Sequence, residues 1–249
     1  MTIHTQHRHG HHAVHTHPVH HPAPAVTPKY IRGIDVSHHN EGGSKNHHVH
    51  IDWKAVKESG VTFAFTKATQ GTTVTDNSFR FNWPAMKAAG LIRGAFHYGL
   101  AGHDAKKQAQ HFFKVVQPQA GDLRLVLDLE WKGNLDKSAS ALRNWAKKFL
   151  DEIEHLTGQP AIFYSGGPFV TDNMGNPPGN WNCPLWISEV VPESRVQHYM
   201  PKAWDDWTFW QWAEMKATPG TPHGAEQDYF KGTLADLQKL TYTTTPSGS

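Results

Sequence analysis

From Tyr30 onward the chain alternates short apolar runs with longer amphipathic ones, and this order constrains the fold more than any other feature. Tyr30 to Val36, Thr62 to Lys67, Leu91 to Tyr98, Leu123 to Leu129, Ala161 to Tyr164, Pro184 to Ser188 and Trp207 to Trp212 read as strands. Helices are expected between them. One is opened by Ile51-Asp52-Trp53, where Asp52 suits an N-cap, and runs to Ser59-Gly60. Others run from Ser78 to Ala89, from Asp104 to Val116 and from Lys137 to Leu156, with a closing helix at Leu234 to Leu240. Strand, helix, strand in repetition is the signature of parallel βα units. The short apolar runs at Val61–Phe65 and Leu123–Leu127 suit strands covered on both faces. A chain of 249 residues could hold one large barrel or two smaller domains. The alternation favours a single α/β barrel, irregular in the last third, where strands follow one another with little helix between them.

Residues 1–28 stand apart in composition. Nine of the 20 histidines lie between His4 and His21, followed by Pro22, Pro24 and Pro28, and such a stretch cannot bury a core. It is expected to be a disordered tail, with the barrel at 29–241 and a flexible C-terminal tail at 242–249. Neighbouring imidazoles could bind Zn2+ or Ni2+ weakly. No catalytic metal or cofactor is assigned.

Elsewhere composition works mainly by exclusion. A formal net charge of +2, without a lysine-rich stripe, gives no case for nucleic acid. One cysteine, Cys183, excludes an intrachain disulfide and a multi-cysteine metal site. No run of about 18 apolar residues is present, so no membrane insertion is expected. The N-terminus lacks the apolar stretch of a secretory signal. Action outside the cytoplasm would need help, as for a holin-assisted phage lysin or a machine-exported effector.

In a parallel βα barrel the chemistry sits at the C-terminal ends of the strands. The polar and aromatic residues there are Asp35, Lys67, His97, Tyr98, Asp128, Glu130, Tyr164, Trp186, Ser188, Gln211 and Trp212, with Glu226 and Asp228 at the last turn. Carboxylates from the first, fourth and last strands would face one basin ringed by aromatics. That is the composition of a carbohydrate site.

Asp128-Leu129-Glu130 is its sharpest element, since residues i and i+2 on a strand share a face at about 6.6–7 Å between Cα atoms. Two carboxyls so close in a partly dry cleft cannot both ionise easily. One is expected to hold its proton as general acid while the other stays charged. By itself Asp-x-Glu is a common tripeptide, and acids that cap neighbouring loops at a strand end are the more frequent occurrence.

The surrounding segments change that balance. Gly33-Ile34-Asp35-Val36-Ser37-His38, Ile51-Asp52-Trp53, Lys67-Ala68-Thr69-Gln70-Gly71, Gly94-Ala95-Phe96-His97-Tyr98, Leu127-Asp128-Leu129-Glu130, Phe163-Tyr164-Ser165, Pro184-Leu185-Trp186-Ile187 and Phe209-Trp210-Gln211-Trp212 follow one another in a set order. In these segments, from Gly33 to Leu240, the chain resembles the family 25 glycoside hydrolases, the Chalaropsis-type lysozymes. The resemblance implies a modified, TIM-like β/α barrel with eight strands and fewer than eight helices. It also implies an N-acetylmuramidase acting on peptidoglycan glycan strands with retention, working as a monomer at the cell wall in wall degradation or lysis. By the family's pattern Glu130 looks like the general acid and base, Asp128 the partner that orients the substrate's acetamido group, and Asp35 a further carboxylate of the basin. Lys67, His97, Tyr98, Tyr164, Trp186, Gln211, Trp212 and Asp228 are candidates for substrate contact. Lys67 is expected to pair with the acids. Acids adjacent on one strand favour substrate assistance over a covalent enzyme intermediate.

Three departures from the family pattern stand out. Phe96 replaces a usual Tyr, a hydroxyl that Tyr98 could restore, and Gln70 replaces a usual Glu. The late acidic motif reads Glu226-Gln227-Asp228-Tyr229-Phe230, leaving Glu226, preferred by alignment, or Asp228 for the late acid. The insert from Glu41 to His50 is longer than the family's usual turn and is expected to form a flexible rim. Two rivals remain: a family 18 chitinase, which also carries a strand-borne Asp-x-Glu, and a non-catalytic wall-binding protein on the same fold.

Overall fold

In the computed structural model, residues 29–44 and 47–248 are described. The expected tail at 1–28 lies outside them. The apolar runs become eight barrel strands: β1 (Ile31–Val36), β2 (Phe63–Gln70), β3 (Ile92–Tyr98), β4 (Val126–Asp128), β5 (Ile162–Gly166), β6 (Leu185–Ser188), β7 (Phe209–Lys216) and β8 (Ala225–Phe230). From β1 to β7 each strand pairs in parallel with the next. The last strand, β8, runs antiparallel to both β7 and β1 and closes the ring.

Helices cover the outside: α1 (Trp53–Glu58), α2 (Phe79–Ala88), α3 (Ala105–Val116), α4 (Ala139–Thr157), the short α5 (Glu193–Val196) and α6 (Leu234–Gln238). Among the described residues these α-helices are fewer than the strands, as expected of this irregular barrel. Asp52 caps α1 by accepting from the N–H groups of Lys54 and Ala55, both at 3.1 Å, and Asp104 caps α3 by accepting from Lys107 N–H at 2.8 Å. Two β-ladders lie outside the ring. Gly42–Ser44 pairs with His47–Val49 inside the 41–50 insert, and Val74–Thr75 folds back on the end of β2.

The barrel is filled from below by aromatic rings. Phe63, Phe65, Trp186 and Phe209 are buried in its interior, with Phe65 stacked on Trp186 at 4.4 Å between centroids. Gly33 and Gly94 make room for them: a Cβ at either would stand 2.2 Å or 2.3 Å from a Phe63 or Phe65 ring carbon. A second, larger apolar layer lies between the sheet and α3 and α4, around Leu127, Leu129, Phe112 and Phe149.

Three expectations need correction. The last strand was expected only as a turn, because Ala-Glu-Gln-Asp-Tyr-Phe carries too few apolar residues to read as a buried strand. The run from Leu123 joins the barrel late, since Leu123 first bridges antiparallel to Thr241. Core packing also passes the expected boundary at 241. Tyr242 is 1% exposed, and its hydroxyl accepts from Leu125 N–H at 3.1 Å.

Candidate active site

The open end of the barrel holds a cavity of about 270 Å³ lined by Asp35, Val36, Ser37, Lys67, Phe96, Tyr98, Asp128, Glu130, Tyr164, Gln211, Glu214 and Glu226. Alternation along β4 brings Asp128 and Glu130 to it together, while Leu129 is buried in the outer layer. Asp128 is 6% exposed, and its Oδ1 finds no hydrogen-bond partner among the described residues.

The antiparallel course of β8 decides which late acid reaches the cavity. Asp35 is the ladder partner of Glu226, and Gly33 that of Asp228. Glu226 therefore stands at the mouth, where it accepts from Asn40 Nδ2 at 3.1 Å. Asp228 lies two residues deeper and accepts from the indole N–H of Trp186 at 2.9 Å.

Gln211 links the opposite wall. Its Nε2 donates to Asp35 Oδ2 at 2.7 Å, and its Oε1 accepts from the hydroxyls of Tyr164 at 3.0 Å and Ser188 at 2.7 Å. Lys67 is half-buried and donates to Gln70 Oε1 at 2.8 Å, with its ammonium 4.9 Å from the centre of the Tyr98 ring. Gln70 thus keeps a hydrogen bond where the family pattern has an acid. Lys67 forms no ion pair among the described residues, contrary to expectation, and its charge reaches the acids only through space. The Tyr98 hydroxyl donates to the Lys132 carbonyl at 2.9 Å, so it is already engaged and does not restore the one missing at Phe96.

Besides Asp228, three of the expected contact residues do not line the cavity. His97 faces outward between Phe96 and Tyr98. It is fully buried, stacked on Phe149, and joined to Thr69 Oγ1 at 2.7 Å and Gln108 Oε1 at 3.0 Å. Gln108 Oε1 also accepts from Leu100 N–H, so His97 carries its proton on Nε2 and accepts from Thr69. Burial pushes its pKa down to about 3 and keeps the ring neutral. Trp186 is buried beneath the site and supports Asp228 and not a sugar ring. Trp212 faces outward and stacks on Tyr229 at 5.2 Å.

Glu214 is a lining residue that alternation misses. Counting inward from Gln211 places Ala213 inside and Glu214 outside. The β7–β8 register, however, passes from Gln211 opposite Asp228 to Ala213 opposite Gln227, one extra residue on β7. This bulge turns Glu214 into the mouth.

The cavity is therefore crowded with carboxyls and contains one ammonium, that of Lys67. Burial, with the charge of Glu130, raises the pKa of Asp128 well above the usual carboxylate range; Lys67 opposes this. Burial raises Glu130 as well, with Glu214 adding to the rise and Tyr164 and Lys67 opposing it. Asp35 is pushed well up by burial and by the charges of Asp228 and Glu226. Burial likewise raises Glu226 and lowers Lys67. Among the described residues no group of His, Cys, Asp or Glu is arranged to hold a metal ion. Cys183 lies away from the cavity, where burial pushes its thiol up to about 12.

Comparison with known proteins agrees with this arrangement. Residues 34–221 match the glycosyl hydrolases family 25. The chain is 34% identical over 218 residues to the Escherichia coli K12 protein YegX, covering 84% of this chain and 72% of that one. It is 28% identical over 227 residues to lysozyme M1 of Streptomyces globisporus, covering 86% and 72%. The crystal structure of a bacterial lysozyme from Streptomyces coelicolor superposes with a TM-score of 0.76 at 26% identity, covering 88% of this chain and all of that one. With its barrel, its acidic mouth and a family match over most of its length, the chain belongs to family 25 of the glycosyl hydrolases.

Proposed function

We propose that this protein is a lysozyme, an N-acetylmuramidase that hydrolyses the β-1,4 bond from N-acetylmuramic acid to N-acetylglucosamine in peptidoglycan with retention. The observation that carries this reading is the Asp128–Glu130 pair at the end of β4, with Asp128 Oδ1 unpartnered inside an acidic cavity.

Burial raises the pKa of both Asp128 and Glu130, so the pair favours holding a proton. A bound sugar's acetamido N–H supplies Asp128 with the donor it lacks and favours its charged form. The proton of the pair then resides on Glu130. Glu130 gives it to the glycosidic oxygen as the bond to C1 breaks, and the acetamido oxygen attacks C1 to form an oxazolinium ion. Water then attacks C1 from the opposite side, Glu130 takes its proton, and the ring opens to an N-acetylmuramic acid of unchanged anomeric configuration.

Asp35 argues against a side-chain nucleophile. Its proton is held by burial and by Asp228 and Glu226, and a neutral carboxyl is a poor nucleophile. Lys67, Tyr98, Tyr164, Gln211 and Glu226 line the sugar's place and position it. The protein acts on the glycan strands of the cell wall.

Mass spectrometry of digested peptidoglycan tests the reading. Reducing N-acetylmuramic acid ends are expected, and none from Glu130→Gln. Reducing N-acetylglucosamine ends would overturn the specificity. A glycosyl adduct trapped on Asp35 or Asp128 would overturn the substrate-assisted step.

A further inference from the structure

Beside the catalytic cavity lies a second groove of about 450 Å³, whose walls include His38, Glu41, His50, Asp76, Arg80 and Phe81. The two share one turn: Ser37 lines the first and His38 the second. Lys67 in the first is close enough to Asp76 in the second for their charges to interact.

The acids of this groove are already engaged. Asp76 is buried, accepts from the N–H and hydroxyl of Ser78 at 3.0 and 2.6 Å, and holds His38 Nδ1 at 2.7 Å. Glu41 holds His50 Nδ1 at 3.0 Å. Arg80 is exposed and has no acidic partner among the described residues. Its guanidinium lies 4.5 Å from the centre of the Phe81 ring, which also carries the His50 imidazole at 4.0 Å. A guanidinium seated on an aromatic ring is held in place while its N–H fork stays open to a carboxylate.

We infer that this groove receives the peptide branch of the substrate, an acidic stem whose carboxylate meets Arg80 while the sugar bearing it occupies the catalytic cavity. The inference rests on the muramidase reading, because the branch is carried by the muramic acid sugar. A cavity of about 270 Å³ has room for little beyond a sugar ring, so a branch of several residues has to leave over its edge. At the Ser37–His38 edge it meets an unmatched positive charge. Glu41, Gly42 and His50, at the two ends of the insert, form part of the groove's wall, which gives that insert a use.

The test compares initial rates on glycan strands with stems intact and on strands freed of stems by an amidase. Wild type is expected to prefer the stem-bearing strands. Arg80→Glu should lose about three- to tenfold in kcat/KM on those strands, through KM, and nothing on bare ones. Phe81→Ala, which removes the ring under the guanidinium, should lose less on the same substrate. Equal losses on both substrates, or no stem preference in wild type, overturn the inference. If wild type releases no reducing muramic acid from either substrate, the muramidase reading itself has failed. The groove is then tested by titrating synthetic stem tetrapeptide into wild type and following the imidazole NMR signals of His38 and His50. Shifts that disappear in Arg80→Glu support the groove, and unshifted signals overturn it.

Discussion

Trp186 donates its indole N–H to Asp228 Oδ1 at 2.9 Å, and through this bond the aromatic floor of the barrel supports an acid that does not line the cavity. Asp228 is 1% exposed, and burial raises its pKa well above normal, with the charge of Glu226 adding to the rise and hydrogen bonds with Trp186 and Asp35 opposing it. A carboxyl whose folded pKa exceeds its unfolded value favours the folded state fully only below the unfolded pKa, about 3.9. That contribution is lost as pH rises through the folded pKa. Asp228→Asn keeps an acceptor for Trp186 and removes the charge. Its Tm should exceed that of wild type at pH 7 by about 2–4 °C for each kcal/mol relieved, and the gap should close toward pH 4. An equal gap at both pH values would show that titration is not the cause.

Glu130→Gln should reduce the release of reducing ends by about 10²–10⁴-fold, the usual worth of a positioned general acid. Asp128→Asn should cost about 10²–10³-fold, as expected when a group that stabilises developing charge is lost. Both proteins should still bind cell walls in a pull-down. An active Glu130→Gln enzyme would remove that residue from the mechanism.

Glu214, turned into the mouth by the β7 bulge, helps hold the proton on Glu130 through its charge. Around Glu130 the other groups are Asp128, Asp35 and Glu226, with Lys67 as the cation and Tyr98 and Tyr164 as neutral hydroxyls. Removing one negative neighbour lowers the pKa of the general acid, so Glu214→Gln should move the alkaline limb of the pH–rate profile to lower pH. Glu214→Lys should move it further, and raised salt should diminish both shifts. A limb that stays in place in both variants would contradict the role.

His97→Ala should act on stability and not on substrate affinity. It leaves Thr69 Oγ1 without its buried partner, removes one bond to Gln108 and opens a hole beside Phe149, together costing roughly 2–4 kcal/mol. Chemical denaturation measures the loss. A KM that rises while stability is unchanged would return His97 to the substrate's side.

Much of this was legible in the sequence because period-two alternation carries directly into a strand. Asp128 and Glu130 share a face for that reason, and the same rule, applied strictly, also turns His97 and Trp212 outward. Their position at strand ends had drawn both into the site against the alternation. Glu226 and Asp228 could not be separated, since the choice depends on the direction of β8, and direction arises from pairing across the barrel. Glu214 was hidden by a single extra residue in β7. Tyr242 follows a polar stretch, and nothing local marks it as core. It is buried because the chain returns to pair beside Leu123.

A barrel closed by an antiparallel strand also brings its two ends to one side of the ring. Ile31 and Phe230 are ladder partners at the end of the ring away from the acids, and Thr241 bridges to the chain entering β4 on that same side. Linkers joined before Tyr30 or after Tyr242 therefore depart from the underside. The enzyme can be tethered, fused to another module or circularly permuted there while its cleft stays open to an insoluble polymer.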